Sequence, residues 1–291
     1  MVELCMKPAF RVIARLDIKD ENLVKGINFE GLRVLGKPNE FAQHYYENGI
    51  DEIFYQDVIA SLLGRNNLKE IIAHSSKNIF VPIIVGGGIR KLDDIESVLK
   101  SGADRVSINS GALENKDFVQ SSIKNFGSSN IIVSIETIKI NNHYLVVKYN
   151  GREKTNYKLE EWIQYLSDNG VSEICVSSVS NDGTGKGINN EILDILSKFK
   201  ELSVIYGGGV NSDDPNNLDL KRYENLAGLT ISSLFHYNFY LKQTQDPKNF
   251  NKGNIEFMLK KNIPRNIKPC QILDFKDRLT KNNINCSRID V

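Results

Sequence analysis

Two apolar runs in this chain each end in an acid. Val12-Ile13-Ala14-Arg15-Leu16-Asp17 is echoed by Ile131-Ile132-Val133-Ser134-Ile135-Glu136, and the two carboxylates lie 119 residues apart, from 17 to 136. Opposed carboxyl groups can act as general acid and general base when their surroundings separate their pKa values. Taken singly, either acid also fits a salt bridge or a helix cap. A symmetric pair at strand ends is better explained as chemistry.

A second echo supplies bare backbone. Val81-Pro82-Ile83-Ile84-Val85 runs into Gly86-Gly87-Gly88, and Leu202-Ser203-Val204-Ile205-Tyr206 runs into Gly207-Gly208-Gly209, an interval of 121 residues from 86 to 207. Glycine lets amide N–H groups approach an anion unobstructed, and a following helix N-terminus favours negative charge. Phosphate binding is therefore expected from Gly86, Gly87 and Gly88 with Asn109 and Ser110, and from Gly207, Gly208 and Gly209 with Ser232 and Ser233. Asp182-Gly183-Thr184-Gly185-Lys186-Gly187 adds a carboxylate and a hydroxyl on a glycine-rich turn, which a plain turn explains nearly as well. It lacks the spacing and the Lys-Ser/Thr ending of a P-loop. Lys19 and Lys25, in the long loop after the first run, are placed to fold over a mouth and reach a phosphate; solvated lysines are the competing explanation.

Positioning these groups requires a repeated scaffold. β-branched runs at 10–16, 52–57, 80–85, 105–109, 131–136, 173–178, 203–206 and 228–232 alternate with helical patterns near 38–48, 66–75, 92–101, 114–125, 159–169, 190–199 and 215–225. Eight strand-then-helix units predict an α/β fold, a (β/α)8 TIM barrel, with the active site at the C-terminal ends of the strands. The near-constant interval predicts two similar half-barrels; an open doubly wound sheet is the alternative and leaves the echo unexplained. Residues 138–158 read as a β-hairpin, 243–253 as a polar loop and 254–261 as a last helix. The barrel is expected over 1–265, followed by a C-terminal extension, 266–291, rich in Lys, Asn and Asp and loosely packed.

Bulk properties narrow the function. The 291 residues are 41% hydrophobic and 25% charged, with a formal net charge of +1. That balance gives no general attraction to nucleic acid or an acidic membrane, so any anion site must be local. No apolar run approaches the ~18 residues of a membrane span, and no charged-then-apolar leader opens the chain. Cys5, Cys175, Cys270 and Cys286 show neither CxxC pairing nor metal-ligand spacing, which reads as reduced thiols in a cytoplasmic protein, Cys175 buried in a strand, with no metal and no cofactor.

The chain resembles the cyclase subunit family of imidazole glycerol phosphate synthase, a histidine-pathway barrel. The resemblance rests on Leu16-Asp17-Ile18-Lys19-Asp20, Val24-Lys25-Gly26-Ile27-Asn28-Phe29-Glu30, Val85-Gly86-Gly87-Gly88-Ile89, Gly102-Ala103-Asp104-Arg105-Val106-Ser107-Ile108-Asn109, Asn181-Asp182-Gly183-Thr184 and Ser232-Ser233-Leu234-Phe235-His236, which fall in order across roughly residues 9–262. It implies a heterodimer with a glutaminase subunit docked at the N-terminal face, ammonia passing up the barrel axis, and a small substrate with a phosphate at each end. It also implies an ammonia gate formed by Arg11, Glu52, Arg105 and Glu173, with Asp104 facing the partner. Four charges inside a barrel floor are costly unless paired, so a gate or docking surface explains them better than stability.

The departures from the family cluster at the other end. Glu136 stands where the family has its second catalytic aspartate, and a displacement of about 1 Å can cost on the order of a hundredfold in rate. Ser180 replaces an acid, Gly207 a phosphate-binding serine, Tyr206 a small residue and Arg15 a small residue or cysteine. Two functions follow from the resemblance. One is the cyclase itself, with Asp17 as general acid/base and Glu136 its partner. The other is a paralogue that passes ammonia from a glutaminase to a sugar amidotransferase of surface-polysaccharide synthesis. The sister isomerase of the pathway shares two phosphate sites but needs no ammonia gate.

Overall fold

The computed structural model describes residues 9–60, 68–217, 219–243 and 262–287. Eight parallel strands close into a ring: β1 (Arg11–Lys19), β4 (Glu52–Asp57), β5 (Ile83–Gly86), β6 (Arg105–Ile108), β7 (Ile131–Ile140), β10 (Glu173–Ser178), β11 (Ser203–Gly207) and β12 (Leu226–Ile231), which pairs back with β1. Outside them lie α1 (Pro38–Glu47), α2 (Lys69–Asn78), α3 (Leu92–Lys100), α4 (Ser110–Glu114), α5 (Lys116–Phe126), α6 (Leu159–Asp168), α7 (Asn190–Leu196), α8 (Asp214–Asn217) and α9 (Ser233–Lys242). The architecture is the (β/α)8 barrel that the alternating pattern predicts.

Strand pleating divides the apolar residues into two cores. Val12, Ala14, Leu16 and Ile18 of β1 point outward into the large core between strands and helices, while Ile13 joins Phe54, Ile84, Ile132, Cys175 and Ile205 in a smaller cluster within the barrel. Side-chain caps fix helix starts where the sequence supplies asparagine: Asn115 Oδ1 accepts from Asp117 N at 3.1 Å, and Asn189 Oδ1 from Ile192 N at 3.3 Å.

Two antiparallel additions rise from the C-terminal rim. The segment after the first strand, expected as a loop, is a hairpin of β2 (Asn22–Ile27) and β3 (Glu30–Gly36). Its turn residues Asn28 and Phe29 have φ of 52° and 64°, the left-handed pair of a tight hairpin turn. The hairpin expected over 138–158 is present in a larger form. β7 itself runs on to Ile140 and pairs with β8 (His143–Lys148), which pairs with β9 (Glu153–Lys158).

Two expectations need correction. Among the described residues, the helix expected near 215–225 is a single turn, α8, and a 3-10 turn at Leu220–Arg222; Pro215 is followed by Asn216 and Asn217, weak helix formers. The C-terminal extension is not loosely packed. It carries α10 (Ile272–Lys281), whose Ile272, Phe275 and Leu279 enter the main core, and Phe275 meets Phe235 edge to face at 6.1 Å. Buried Lys276 reaches Asp51 Oδ1 at 2.6 Å, and Phe10 N donates to Asn285 O at 2.7 Å. The pattern of exposed Lys, Asn and Asp masked an amphipathic helix with one buried face. The polar loop from 244 and the helix at 254–261 lie outside the described residues.

Candidate active site

The barrel floor is an ionic ring. Arg11, Glu52, Arg105 and Glu173 are the first residues of β1, β4, β6 and β10. Arg11 bonds Glu52 at 3.1 Å and also Glu173, while Arg105 bonds both Glu52 and Glu173, so charges alternate around a closed circuit. Ser203 Oγ donates to Glu173 at 2.6 Å. Burial pushes the Glu52 carboxyl up against the pull of both arginines; at Glu173 burial is again the largest single influence, but the hydrogen bonds and charges of Arg11, Arg105 and Ser203 together outweigh it and hold the carboxyl down. Asp104 is exposed at the same end, its Oδ2 accepting from Ile83 N at 2.8 Å.

Above the floor sits the inner apolar cluster, including Cys175, buried in β10 as expected, with its thiol pushed up to about 11 by burial. A polar layer follows, with Ser107 Oγ 2.6 Å from Ser134 Oγ and the buried Arg15 guanidinium.

Asp17 and Glu136 lie beside the last ring-paired residues of β1 and β7, Ile18 and Thr137, four strands apart in the ring and therefore opposite one another. Both are buried. Their surroundings differ. Burial alone would raise Asp17, but Arg15 Nε at 2.9 Å and Lys25 Nζ at 3.8 Å hold its carboxyl below the ordinary range. Burial dominates at Glu136 and pushes it up to about 7, although Arg15 and the Gly151 N–H, donating at 2.9 Å, favour the anion. The environments thus separate the two acids, favouring the anion at Asp17 and the protonated carboxyl at Glu136.

Lys25, expected over the mouth, is fully buried at its edge: its Nζ donates to both oxygens of Asp182, at 2.7 and 3.0 Å, tying the β2–β3 hairpin to the turn after β10. Lys19 is exposed. Thr184 Oγ1 closes its own turn by donating to Asn181 O at 2.7 Å.

The two glycine clusters are near copies in space. Gly87 and Gly208 have φ of 106° and 94°, and a Cβ on either would stand 2.3 Å from Asp57 O or 2.5 Å from Ser178 O, so both positions exclude a side chain. One depression is lined by Gly87, Gly88, Asn109, Ser110, Glu136 and Asn150, the other by Gly208, Gly209, Asp182, Gly183, Ser232 and Ser233 with Arg15. Gly86 and Gly207 lie one residue deeper, as the ends of their strands. Ser110 Oγ accepts from Tyr149 N at 3.0 Å, and Ser232 Oγ donates to Arg15 O at 2.9 Å. Tyr206, which stands where the family has a small residue, faces away from this depression. Its ring lies in the outer core, and its hydroxyl donates to Gly208 O at 3.1 Å and accepts from Asn189 N at 3.0 Å, bracing the glycine turn from behind.

Residues 11–240 match the family described as histidine biosynthesis protein. The chain belongs to this family. Among its members, the imidazole glycerol phosphate synthase subunit HisF of Legionella pneumophila is 44% identical over 201 residues, 69% of this chain and 95% of the relative. The HisF subunit of Natranaerobius thermophilus is 36% identical over 230 residues, 79% and 91% of the two chains, and that of Sulfolobus acidocaldarius 40% identical over 204 residues, 70% and 82%. The matched span of this histidine-biosynthesis barrel includes the ionic ring, both carboxylates and both glycine clusters, and stops before α10.

Several residues of the mouth gave no sign in the sequence of their role there. Phe29 reaches over it and packs with Val147 and Val179, joining the two hairpins. Ser177 accepts from Arg15 in the lumen, and Gln56 lines the depression beside Gly87. Asn150-Gly151 is a turn signal, but nothing in it tells that the Gly151 N–H is aimed at Glu136.

Proposed function

We propose that this chain is the cyclase subunit of an imidazole glycerol phosphate synthase. Ammonia released by a glutaminase partner enters through the ring of Arg11, Glu52, Arg105 and Glu173 and rises along the axis. At the mouth it attacks the open-chain ribulosyl intermediate, whose two phosphates rest on the glycine clusters at 86–88 and 207–209, giving imidazole glycerol phosphate and the aminoimidazole carboxamide ribotide. The observation that carries this reading is the pair of opposed, unlike carboxyl groups, Asp17 and Glu136, held above an ionic floor on one axis. The names of the relatives support it, and they support a glutaminase partner in a heterodimer. Delivery of the ammonia to a sugar amidotransferase is the competing assignment, and the names of these relatives do not favour it.

The test is turnover of the ribulosyl intermediate by the purified barrel with excess ammonium salt at alkaline pH. Formation of both products, lost in Asp17→Asn, supports the cyclase. A barrel that is inert yet still stimulates a glutaminase partner contradicts it in favour of the relay.

A further inference from the structure

Arg15 puts a buried guanidinium into the axial passage. A cation there is costly unless paired and hydrogen-bonded, and an apolar residue would fill the space without that cost. Four contacts fix its plane. Its Nε donates to Asp17 Oδ1 at 2.9 Å, its second donor reaches Ser177 Oγ at 3.0 Å, and its carbon lies 5.4 Å from the Phe29 ring centre and 5.8 Å from that of Phe54. One Asp17 oxygen is thereby engaged. The other, Oδ2, has Lys25 Nζ at 3.8 Å, beyond hydrogen-bond reach. Glu136 is held differently, by the neutral Gly151 N–H, and no cation lies within ion-pair distance of it among the described residues. The other groups facing this cluster are Asp182, paired with Lys25, the Cys175 thiol below, and His236 behind Asp17, kept neutral with its pKa lowered to about 3 mainly by burial.

We propose that Arg15 is a positioning residue that keeps Asp17 an oriented anion through the whole cycle, so that Glu136 alone moves the proton. This rests on the cyclase reading, where ammonia adds to a ketone. As the C–N bond forms, the C=O π pair moves onto oxygen, which takes the proton of the Glu136 carboxyl. Asp17 stabilises the cationic nitrogen without accepting its proton. The Glu136 carboxylate then takes a proton from that nitrogen and is restored, so atoms and charge balance over the step.

Two measurements test it. Carbon-13 carboxyl titration of the labelled barrel, assigned with Asp17→Asn and Glu136→Gln, should show Glu136 titrating near 7 while Asp17 stays ionised. In Arg15→Met the Asp17 midpoint should rise by about one pH unit or more, the scale of a lost adjacent arginine, and Arg15→Lys should restore most of it. In turnover with the free-ammonia concentration held constant, kcat should fall in Arg15→Met, and Arg15→Lys, which keeps a cation beside Asp17, should recover most of it. An Asp17 midpoint unchanged in Arg15→Met, or turnover that Arg15→Lys does not recover, overturns the proposal. Absence of turnover in the unmodified barrel would instead remove the cyclase reading, and the carboxyl titration would still decide whether Arg15 governs Asp17. Should Arg15→Met not fold, Arg15→Gln, which can still donate to Ser177, takes its place.

Discussion

Gly207 and Thr230 are fitted to each other across adjacent strands: they are registered partners on β11 and β12, and a Cβ on Gly207 would lie 2.1 Å from Thr230 Oγ1. The departure at 207 is therefore matched by its neighbour. Gly207→Ser should destabilise the barrel by about 1–3 kcal/mol through overpacking. Adding Thr230→Ala should recover at least about 0.5 kcal/mol of that loss, as contacting residues couple. Urea denaturation of the two single variants and the double variant measures the coupling; strict additivity would contradict the fit.

The proton held by Glu136 links activity to stability. Its folded pKa, about 7, lies above the ordinary value of 4.5. Between those values the folded protein binds more protons than the unfolded chain, so this group's contribution is fully present below 4.5 and is lost as pH rises through 7. Glu136→Gln removes the dependence. Its stability relative to the unmodified barrel should increase from pH 4.5 to 7 and level off above, by roughly 3 kcal/mol at most given 1.36 kcal/mol per pKa unit. Chemical denaturation across that range checks the sign. Turnover should fall in the same variant, a stability gained where function is lost.

The C-terminal helix belongs to the barrel's core. Phe275 is completely buried against Phe235, so Phe275→Ala should cost about 3–5 kcal/mol, the range for emptying an aromatic core site. Denaturation should remain a single transition, because Lys276 and Asp51 join the helix to the start of the barrel. A separate early transition would show the extension to be an independent unit.

The fold was legible because its signal is local and repeated. Strand-length apolar runs, glycines at fixed offsets and paired acids at 17 and 136 all report one half-barrel copied once. The floor was legible only through the family resemblance, which implies a ring of charges that this chain carries at the starts of four strands. What remained hidden depends on where a side chain points after closure. Arg15 sits on the lumen side of β1 while Tyr206 sits on the outer side of β11, and only the barrel's register separates them. Lys25 looked like a phosphate ligand, but its partner Asp182 is 157 residues away. The extension was misread because α10 buries one narrow face of a polar sequence.

The central claim is a continuous path from the ionic floor to the carboxylates at the mouth. It is tested most directly by nitrogen-15 tracing in the complex with a glutaminase partner, with amide-labelled glutamine, excess unlabelled ammonium at neutral pH and the ribulosyl intermediate. The path predicts imidazole product carrying the label essentially undiluted, and dilution in Glu173→Gln, which opens the ring at its junction with Arg11, Arg105 and Ser203. Product labelled only to the level of the bulk ammonium in the unmodified complex would contradict the path.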